Sequence, residues 1–541
     1  MDWLGVAADA VKPGLESRRI GTAVSVRIVM NTADRPEELE PLLGRGLETA
    51  SIWLSAEPQR LATLGGTDAG QITVLGSFPQ GQTALVCVGL RGQSGPSMDL
   101  DIVGSRGTLS WQGCPGTEIR ADHIQKPLSP LARRLVERAR EATPVGPAGT
   151  NESRSASPAA PRARTTPPYG VLLIAGARTH QENYAPLFAA DRRCRLVGVS
   201  DEADVSRRRR ELNERFAAGL GIPYLAGLEG ALARDDVQVV SVCAEPERRA
   251  RIAIRCAEAG KHLYLDKPMA ASAEEAEAIV AAASKAGVAT QMFSTVRSPV
   301  GPRLRRAMDA DDLGEIRAIH FHLTFAKGPA GAARLGSARK ESARPQRFEA
   351  IDSKRELSNI GVYALVLLDW LVGRPVRRVW AATGNYFFGE HQANDMEDFG
   401  LLMLELESGL TATVTAGRTG WRSHPMAGVN RTTLVGSGRV ATVDLDRPRW
   451  EVSNDENPWL PPRVHPEDPM GFWRSTMEEA GTVTKQAWLP AAEETLNDAA
   501  YFLDCIEHGR PSDVSAELAA SAVRVLSAAY RSAALGEGVA L

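Results

Sequence analysis

One lysine occupies a position where open α/β folds bind their ligands. The segment KHLYLDKPMA, residues 261–270, places Lys267 directly after a predicted strand and before Pro268. Ligands of parallel sheets bind outside the carboxyl ends of the strands, so an ammonium here would meet a bound ligand. Lysine is also rare in the chain, with nine lysines against 54 arginines in a basic total of 63. Lys267 is therefore the leading candidate for a residue that touches cofactor or substrate.

A degenerate glycine turn is the second feature that could do chemistry. The segment YGVLLIAGARTH, residues 169–180, follows the strand–turn–helix order of the G-x-G-x-x-G pattern, but only its middle glycine, Gly176, remains. That glycine permits a backbone to approach a pyrophosphate, which the following helix N-terminus would also attract. The turn predicts a dinucleotide site whose other members would be Ala175, Ala177 and Arg178.

The neighbouring strand ends would complete a cofactor site. The strand RLVGVSD ends in Asp201, 25 residues after Gly176, where a carboxylate accepts hydrogen bonds from ribose hydroxyls and disfavours a 2′-phosphate. A solvated Asp in a turn is the alternative. The strand VQVVSVCAEP would bring Cys243 and Ala244 to the same edge, with Pro246 opening the next helix. Cys243 is more often a small buried hydrophobe than a reactive thiol. NAD(H) is the favoured cofactor, and NADP(H) stays open.

The run AEAGKHLYLDKPMA resembles the signature of the Gfo/Idh/MocA oxidoreductases, Ala-Gly-Lys-His followed by Glu-Lys-Pro. The resemblance covers residues 169–541 and extends to LGEI at 313–316. The segment SNIGVYALVLLDWLVG, residues 358–373, is similar to the family's D-x-G-x-Y/H motif and supplies Tyr363. The resemblance implies an NAD(P)-dependent dehydrogenase or reductase that acts on a sugar, cyclitol or related polyol.

Tyr363 and Lys267 are predicted to form a proton-transfer unit. Hydride transfer from a carbinol carbon requires removal of the hydroxyl proton, and the reverse reaction requires a proton donor. A phenol with an ordinary pKa of about 10 is too weak a base at neutral pH. The ammonium of Lys267 would favour the phenolate and lower the pKa of Tyr363. An aromatic ring that only packs on the sheet is the alternative for Tyr363.

Three departures from the family pattern keep other functions open. Asp266, which the resemblance implies to be a cofactor contact together with Lys267, replaces the Glu of Glu-Lys-Pro. Asn359 replaces the Asp that precedes the Tyr, and the glycine turn is depleted. An amide can orient substrate by hydrogen bonding but cannot carry charge. The alternatives are a nucleotide-binding sensor or scaffold with weak turnover, and an NAD-dependent glycosidase.

The order of predicted elements divides the chain into four parts. Alternating strands and helices at residues 169–296 predict an α/β Rossmann domain with a doubly wound parallel sheet. Long successive strands at 297–541 predict an α+β domain with a large, mostly antiparallel open sheet, closed by a helix over 516–535. Residues 143–168, rich in Pro, Ser, Thr, Ala and Gly, predict a flexible linker. Residues 1–142 predict an additional α+β domain.

This additional domain is predicted to be a degenerate partial copy of the C-terminal sheet domain. Four segments match in the same order: 21–30 with 314–323, 53–58 with 370–375, 81–86 with 409–414, and 103–109 with 435–441. Ordered self-similarity of this kind indicates duplication, and convergent strand–turn–strand patterns are the alternative. The copy lacks the nucleotide turn and the Lys-Pro motif. We expect it to cover a sheet face, either by intramolecular sheet-to-sheet pairing or within a homo-oligomer.

Composition excludes several classes of function. The net charge of −3 gives no global basic surface for nucleic acid. No apolar run approaches the roughly 20 residues that span a bilayer, and the first residues lack the pattern of a secretory signal. The six cysteines contain no Cys-x-x-Cys pair, so a reducing cytoplasm is the expected location. The expected partner is a small sugar or polyol, without nucleic acid or membrane.

Local clusters of charged and imidazole side chains have two interpretations each. Residues 327–355 hold eight basic and three acidic side chains, which predicts either an acidic substrate or a solvated loop. The run of four arginines at 207–210 predicts a solvated helix face, and a patch that binds a 2′-phosphate or nucleic acid is the alternative. His320 and His322 share one face of a strand, and without a third ligand they are predicted to be sheet-surface residues rather than a metal site.

Overall fold

The structure is a computed structural model, and it describes most of the chain. The described residues are 3–17, 20–32, 35–90, 97–113, 128–142, 167–177, 179–298, 300–309, 313–325, 333–336, 355–419, 428–444, 449–453, 485–488 and 497–541. The predicted linker at 143–168 lies outside this part except for its last two residues.

The N-terminal part is a six-stranded mixed sheet with helices on one face. Its elements are α1 (Trp3–Glu16), β1 (Ala23–Thr32), α2 (Leu39–Trp53), β2 (Arg60–Gly66), β3 (Gln71–Ser77), β4 (Thr83–Leu90), β5 (Ser97–Gly104), β6 (Gly107–Gly113) and α3 (Pro130–Glu141). The strand order is β2-β3-β4-β1-β5-β6. The central strand β1 runs parallel to β4 and antiparallel to β5. Its inward side chains Val26, Ile28 and Met30 join Leu43 and Leu47 of α2 in one core.

The second part is the predicted doubly wound Rossmann sheet. Its elements are β7 (Tyr169–Ile174), α4 (Gln181–Ala190), β8 (Cys194–Asp201), α5 (Arg207–Leu220), β9 (Tyr224–Ala226), α6 (Leu228–Leu232), β10 (Val239–Val242), α7 (Pro246–Glu258), β11 (His262–Leu265), α8 (Ala273–Ala286) and β12 (Thr290–Met292). In the order β12-β11-β10-β7-β8-β9, successive strands are added on one side of β7 and then on the other, while all strands stay parallel. The carboxyl ends of β7, β10 and β11 therefore meet at one edge, where such folds bind ligands.

The third part is the predicted sheet domain. Its elements are α9 (Val300–Asp309), β13 (Ile316–Phe325), α10 (Glu356–Val372), β14 (Val376–Gly384), α11 (Gly389–Ala393), β15 (Phe399–Leu406), β16 (Thr411–Arg418), β17 (Gly428–Gly436), β18 (Val440–Asp444), β19 (Arg449–Ser453), β20 (Lys485–Trp488), α12 (Asp498–His508), α13 (Ala516–Leu535) and β21 (Val539–Ala540). Within the described residues, nine strands follow the order β20-β19-β18-β17-β13-β16-β15-β14-β21. The closing helix α13 has the bounds predicted from its periodicity. Helix α12 returns to the Rossmann sheet, where Tyr264 donates a 2.7 Å hydrogen bond to Asp498.

The N-terminal sheet repeats the strand order of six strands of the third part. The run β14-β15-β16-β13-β17-β18 has the same sequence of neighbours as β2-β3-β4-β1-β5-β6. The central strand of each sheet is parallel to one neighbour and antiparallel to the other. The antiparallel pairing shifts register between Ala23 and Ser25 in one sheet and between Ile316 and Ala318 in the other, which are matched positions of segments 21–30 and 314–323.

The two related sheets pack face to face within the chain. Apolar side chains from both form one buried cluster: Val24, Leu64, Leu75, Leu85 and Val103 from the first sheet, and Trp380, Ala382, Tyr386, Phe387, Phe399, Leu401 and Met403 from the third part. Gln71 donates a 2.9 Å hydrogen bond to Thr411 across the contact, and Tyr386 donates one of 2.5 Å to the carbonyl of Gly81. The helices of both domains lie on the outer faces, so each sheet is covered on both sides.

Candidate active site

Lys267 and Asn359 meet where the Rossmann sheet faces α10. Lys267 follows β11 by two residues and is only 4% exposed. Its Nζ donates hydrogen bonds of 2.6 Å to both the backbone oxygen and Oδ1 of Asn359 in the first turn of α10. The two contacts fix the ammonium at the carboxyl edge of the sheet, because hydrogen bonds from a charged donor are stronger than neutral ones.

A buried carboxylate, Glu356, lies behind this pair and was not predicted from the sequence. Asn359 donates from Nδ2 to Oε2 of Glu356 at 2.9 Å. Glu356 is fully buried and pairs with Arg418 at 2.9 Å, with His391 3.5 Å away. Burial opposes ionisation of Glu356, but His391, Arg418 and the amide of Asn359 outweigh it and hold the pKa below its usual value. The amide of Asn359 therefore links an ammonium to a carboxylate, which an Asp at this position could not do.

The ring of Tyr363 lies beside the same lysine, one helical turn beyond Asn359. The Nζ of Lys267 is 4.7 Å from the ring centroid of Tyr363, over its face. Burial, with a smaller effect from Asp266, raises the pKa of the Tyr363 phenol above its ordinary value. The predicted lowering of the pKa by Lys267 is therefore wrong in this arrangement, because the ammonium contacts the ring face and burial disfavours the phenolate. The phenol of Tyr363 is therefore held in its protonated form.

Asp266 anchors the segment that carries Lys267. Its carboxylate accepts 2.8 Å hydrogen bonds from His180 and Tyr184 and pairs with Arg249 at 2.9 Å. Burial opposes ionisation, but Arg249 and His180 hold the pKa of Asp266 far below its usual value. The side chain is 2% exposed and its oxygens have internal partners. Predicted as a cofactor contact, Asp266 instead ties β11 to α4 and α7.

The glycine turn packs tightly against α5. Ala175 adopts a left-handed φ of 61°, and Gly176 follows. A Cβ on Gly176 would lie 2.9 Å from Cβ of Phe216 and 3.1 Å from Cα of Asn213, so α5 itself requires the glycine. The Gly176 N–H donates to Oδ1 of Asn213 at 2.8 Å. The backbone group predicted to approach a pyrophosphate is thus engaged within the protein.

Asp201 also has internal partners in place of the predicted ribose. It is fully buried and accepts from Nδ2 of Asn213 at 2.9 Å. Arg248 donates to it at 2.8 Å and also pairs with Glu202 at 3.0 Å. Arg248 extends to Glu245 at 2.6 Å as well. In this structure, Asn213 and Arg248 therefore bind the Asp201 carboxylate that would have to accept hydrogen bonds from a ribose.

Arg209 joins this network from the predicted solvated arginine run. It is 3% exposed, pairs with Glu245 at 2.5 Å and donates to the carbonyl of Ala177 at 2.9 Å. The prediction of a solvated face holds for the side chain of Arg207, which is 92% exposed, and is wrong for Arg209. Arg209 therefore lies beside the turn, because its guanidinium contacts the carbonyl of Ala177.

The remaining predicted residues occupy the same edge or lie outside the described part. Cys243 and Ala244 are buried, and the Cys243 thiol donates to Gln181 at 2.6 Å. Burial raises the pKa of Cys243 well above its ordinary value, which fits an unreactive thiol. Pro246 opens α7. Arg178 lies outside the described residues.

The basic segment and the histidine pair lie away from this edge. Most of residues 327–355 lies outside the described part of the chain. Arg334 and Arg355 are among the residues of this segment that the structure describes. His320 and His322 are on the sheet face as predicted, but they are buried rather than exposed, because the N-terminal sheet covers them. Within the described residues, no cluster of His, Cys, Asp and Glu is arranged to hold a metal ion, and no helix is long and apolar enough to cross a membrane.

Comparison with known protein families identifies two consecutive matches. Residues 171–294 match the family described as "Oxidoreductase family, NAD-binding Rossmann fold". Residues 302–441 match the "GFO/IDH/MocA C-terminal domain". The first match covers the Rossmann sheet, and the second covers α10 and most of the nine-stranded sheet.

Individual relatives match over the same part of the chain. A dTDP-3,4-didehydro-2,6-dideoxy-alpha-D-glucose 3-reductase of Actinomadura kijaniata is 25% identical over 220 residues, 40% of this chain and 61% of that protein. A levoglucosan dehydrogenase of Pseudarthrobacter phenanthrenivorans is 26% identical over 202 residues, 34% of this chain and 50% of that protein. The chain thus spans about half to three fifths of these relatives.

Solved structures share the fold. A levoglucosan dehydrogenase in complex with NADH and levoglucosan superposes with a TM-score of 0.53 at 18% identity, covering 69% of this chain and 99% of that one. At this identity the likeness concerns the fold.

Proposed function

The chain belongs to the Gfo/Idh/MocA oxidoreductase family, and we propose that it transfers hydride between a nicotinamide dinucleotide and a carbinol or ketone carbon of a sugar or related polyol. Three side chains at the meeting point of the Rossmann sheet and α10 would handle the accompanying proton. They are Lys267, Asn359 and Tyr363, and their convergence is the observation that carries the proposal.

The chemistry assigned to each residue follows from its contacts. A bound nicotinamide would supply or take the hydride. Tyr363, whose phenol stays protonated, would donate its proton to the substrate oxygen in the direction of reduction. Lys267 would place its positive charge beside the same oxygen and stabilise negative charge that develops there. Asn359 accepts a hydrogen bond from the ammonium and so holds it in position. Its own amide N–H donates to the carboxylate of Glu356 behind it.

The residues at the two ends of the cofactor site fit a dinucleotide unequally. At the nicotinamide end, the carboxyl edges of β7, β10 and β11 lead to Lys267, which fits a redox-active ring beside a substrate. At the ribose end, Asp201 is closed by Arg248, so these residues as they stand do not fit an adenosine ribose. Binding would require Arg248 to leave Asp201, and the diphosphate could then take the place of Glu245 as an anionic partner of Arg209 and Arg248. NAD(H) is the cofactor proposed, because a freed Asp201 would repel a 2′-phosphate.

A second function is favoured by that closed ribose end. If Arg248 stays paired with Asp201, the chain would bind dinucleotide weakly and act as a sensor or scaffold with little turnover. The ion pairs of Arg248 with Asp201, Glu202 and Glu245 are the observation that favours it.

Cofactor titration and turnover separate the two functions. NADH and NADPH are titrated by fluorescence, and a panel of polyols and keto-sugars is assayed with wild type, Lys267→Ala and Tyr363→Phe. The oxidoreductase predicts tighter binding of NADH than NADPH, and turnover that both substitutions reduce at least a hundredfold. Binding without turnover on any substrate supports the sensor. Turnover that both variants retain contradicts the roles given to Lys267 and Tyr363. Release of an aglycone without net NADH would identify a glycosidase.

A further inference from the structure

The buried contact between the two related sheets uses equivalent positions on both. Aligned by strand register, Leu75 of β3 corresponds to Met403 of β15, and Leu64 of β2 to Ala382 of β14. All four side chains lie in the single apolar cluster between the sheets. The same face is therefore buried in each copy, as in an interface between two identical subunits.

The charged residues at this contact differ between the copies. Asp99 of β5 lies opposite Val29 of β1, and Arg431 of β17 lies opposite His322 of β13. The two pairs are equivalent by register, so an aspartate in one sheet corresponds to an arginine in the other. The first copy presents carboxylates at the contact, and the second presents a guanidinium and an imidazole.

These side chains form one buried ion-pair network across the contact. Arg431 pairs with Asp99 at 3.2 Å and with Asp101 at 3.1 Å. His322 lies 3.1 Å from Asp101, and Arg27 binds Asp99 at 2.7 Å from within the first sheet. Asp101 is 1% and Arg431 8% exposed. Buried charges depend on their partners, because removing one partner leaves the other charge uncompensated in the interior.

We infer that residues 1–142 are a tethered stand-in for a second copy of the C-terminal sheet domain. The exchange of Asp99 for Arg431 makes the pairing complementary within one chain and repulsive between two identical sheets. Two C-terminal sheets facing each other would bring two Arg431 side chains into one buried layer, where the nearby acid within the described part of each sheet is Asp444 on the neighbouring strand. Like charges at an interface select against the wrong partner. The C-terminal sheet face is thus closed by its own chain and excluded from self-association.

Cleavage of the intact, folded chain tests the tethering. A protease site inserted between residues 142 and 167 is cut after purification, and the mass is measured by light scattering during size-exclusion chromatography. The inference predicts that both pieces stay together in a particle of 58.1 kDa. Separation into free pieces at micromolar concentration would overturn it.

Charge reversal tests the complementarity in the same cleaved protein. Arg431→Asp alone and Asp99→Arg alone are expected to weaken the association of the pieces at least a hundredfold, and the double variant is expected to recover at least tenfold of that loss. Glu137→Arg, on the exposed face of α3, is the matched control and should change nothing. If the reversals impair folding, Arg431→Gln and Asp99→Asn provide milder versions of the same comparison.

Two further results would overturn the inference. The first is a double variant no better than the single ones, which would show that the charges do not pair across the contact. The second is an intact wild-type dimer that Arg431→Asp dissociates into monomers, because the sheet face would then lie between chains.

Discussion

The ionisation of Tyr363 gives the sharpest test of the proposed proton transfer. Burial raises the pKa of the phenol above its ordinary value, and the ammonium of Lys267 contacts the ring face rather than the oxygen. A phenol with a pKa above about 10 is less than one part in a thousand phenolate at pH 7. Tyr363 should therefore act as the acid in reduction, and the pH profile should report this.

The magnitudes follow from that assignment. Reduction, which needs the protonated phenol, should have a kcat/KM that is flat between pH 6 and 9. The kcat/KM of oxidation, which needs the phenolate, should rise about tenfold per pH unit over that range. The reason is that the phenolate fraction grows tenfold with each pH unit below the pKa, a change equivalent to about 1.4 kcal/mol. Replacing Tyr363 by Phe removes the proton donor and should lower the rate of reduction by about 10²–10⁴-fold.

The assay is the initial rate of NADH consumption with a keto-sugar substrate, measured from pH 6 to 10 for wild type and Tyr363→Phe. Oxidation of the corresponding polyol is followed in parallel. Asn497→Ala, which changes a helix cap of α12 away from the site, controls for general loss of stability. An inflection in the wild-type profile between pH 7 and 8 that Tyr363→Phe abolishes would refute the reasoning, because it would require a phenol of lowered pKa.

Three further predictions concern stability and the cofactor site. Asn359→Ala removes the side-chain acceptor of Lys267 and should lower the free energy of unfolding by about 1.5–3 kcal/mol in urea titrations, whereas equal stability would show that the contact contributes little. Asp201→Asn should lower stability by a similar amount through its bonds with Arg248 and Asn213 and should reduce the preference for NADH over NADPH, because a neutral amide no longer repels a 2′-phosphate, and an unchanged ratio of the two affinities would contradict the role given to the freed carboxylate. Burial lowers the pKa of His320 to about 3, so the unfolded chain takes up a proton below pH 6.5 that the folded chain refuses. The stabilising contribution of neutral His320 should therefore be fully present above about pH 6.5. Between pH 7 and 5, the free energy of unfolding of the wild type should fall by about 2 kcal/mol relative to that of His320→Gln. Parallel curves of unfolding free energy against pH for the two proteins would contradict this.

The sequence predicted the elements whose periodicity is strong. The alternation of strands and helices predicted the Rossmann sheet, and the apolar pattern of residues 516–535 predicted α13. Lys267 and Tyr363 are 96 residues apart in the sequence, yet the strand end and the helix that carry them are brought together because each belongs to a recognisable element. The duplicated strand pattern also anticipated a second sheet of the same topology.

The side-chain partners could not be predicted in the same way. From the sequence, Asp201 is predicted to be a free carboxylate at the end of a strand. Its ion-pair partner Arg248 lies 47 residues further along the chain, on α7. The pKa of Tyr363 depends on how deeply the ring is buried, which no local pattern encodes. Glu356 could have been found, since a residue three positions before Asn359 shares its helix face.

Transfer of isotopically labelled hydride tests the central proposal most directly. The full-length protein is mixed with NADH deuterated at the transferring position and a panel of keto-sugars, and the products are examined by mass spectrometry. Hydride transfer at this site predicts deuterium on one carbinol carbon of the product, in a yield that falls at least a hundredfold in Lys267→Ala. Bound NADH that leaves every substrate of the panel unlabelled, or labelling that is unchanged in Lys267→Ala, would contradict it.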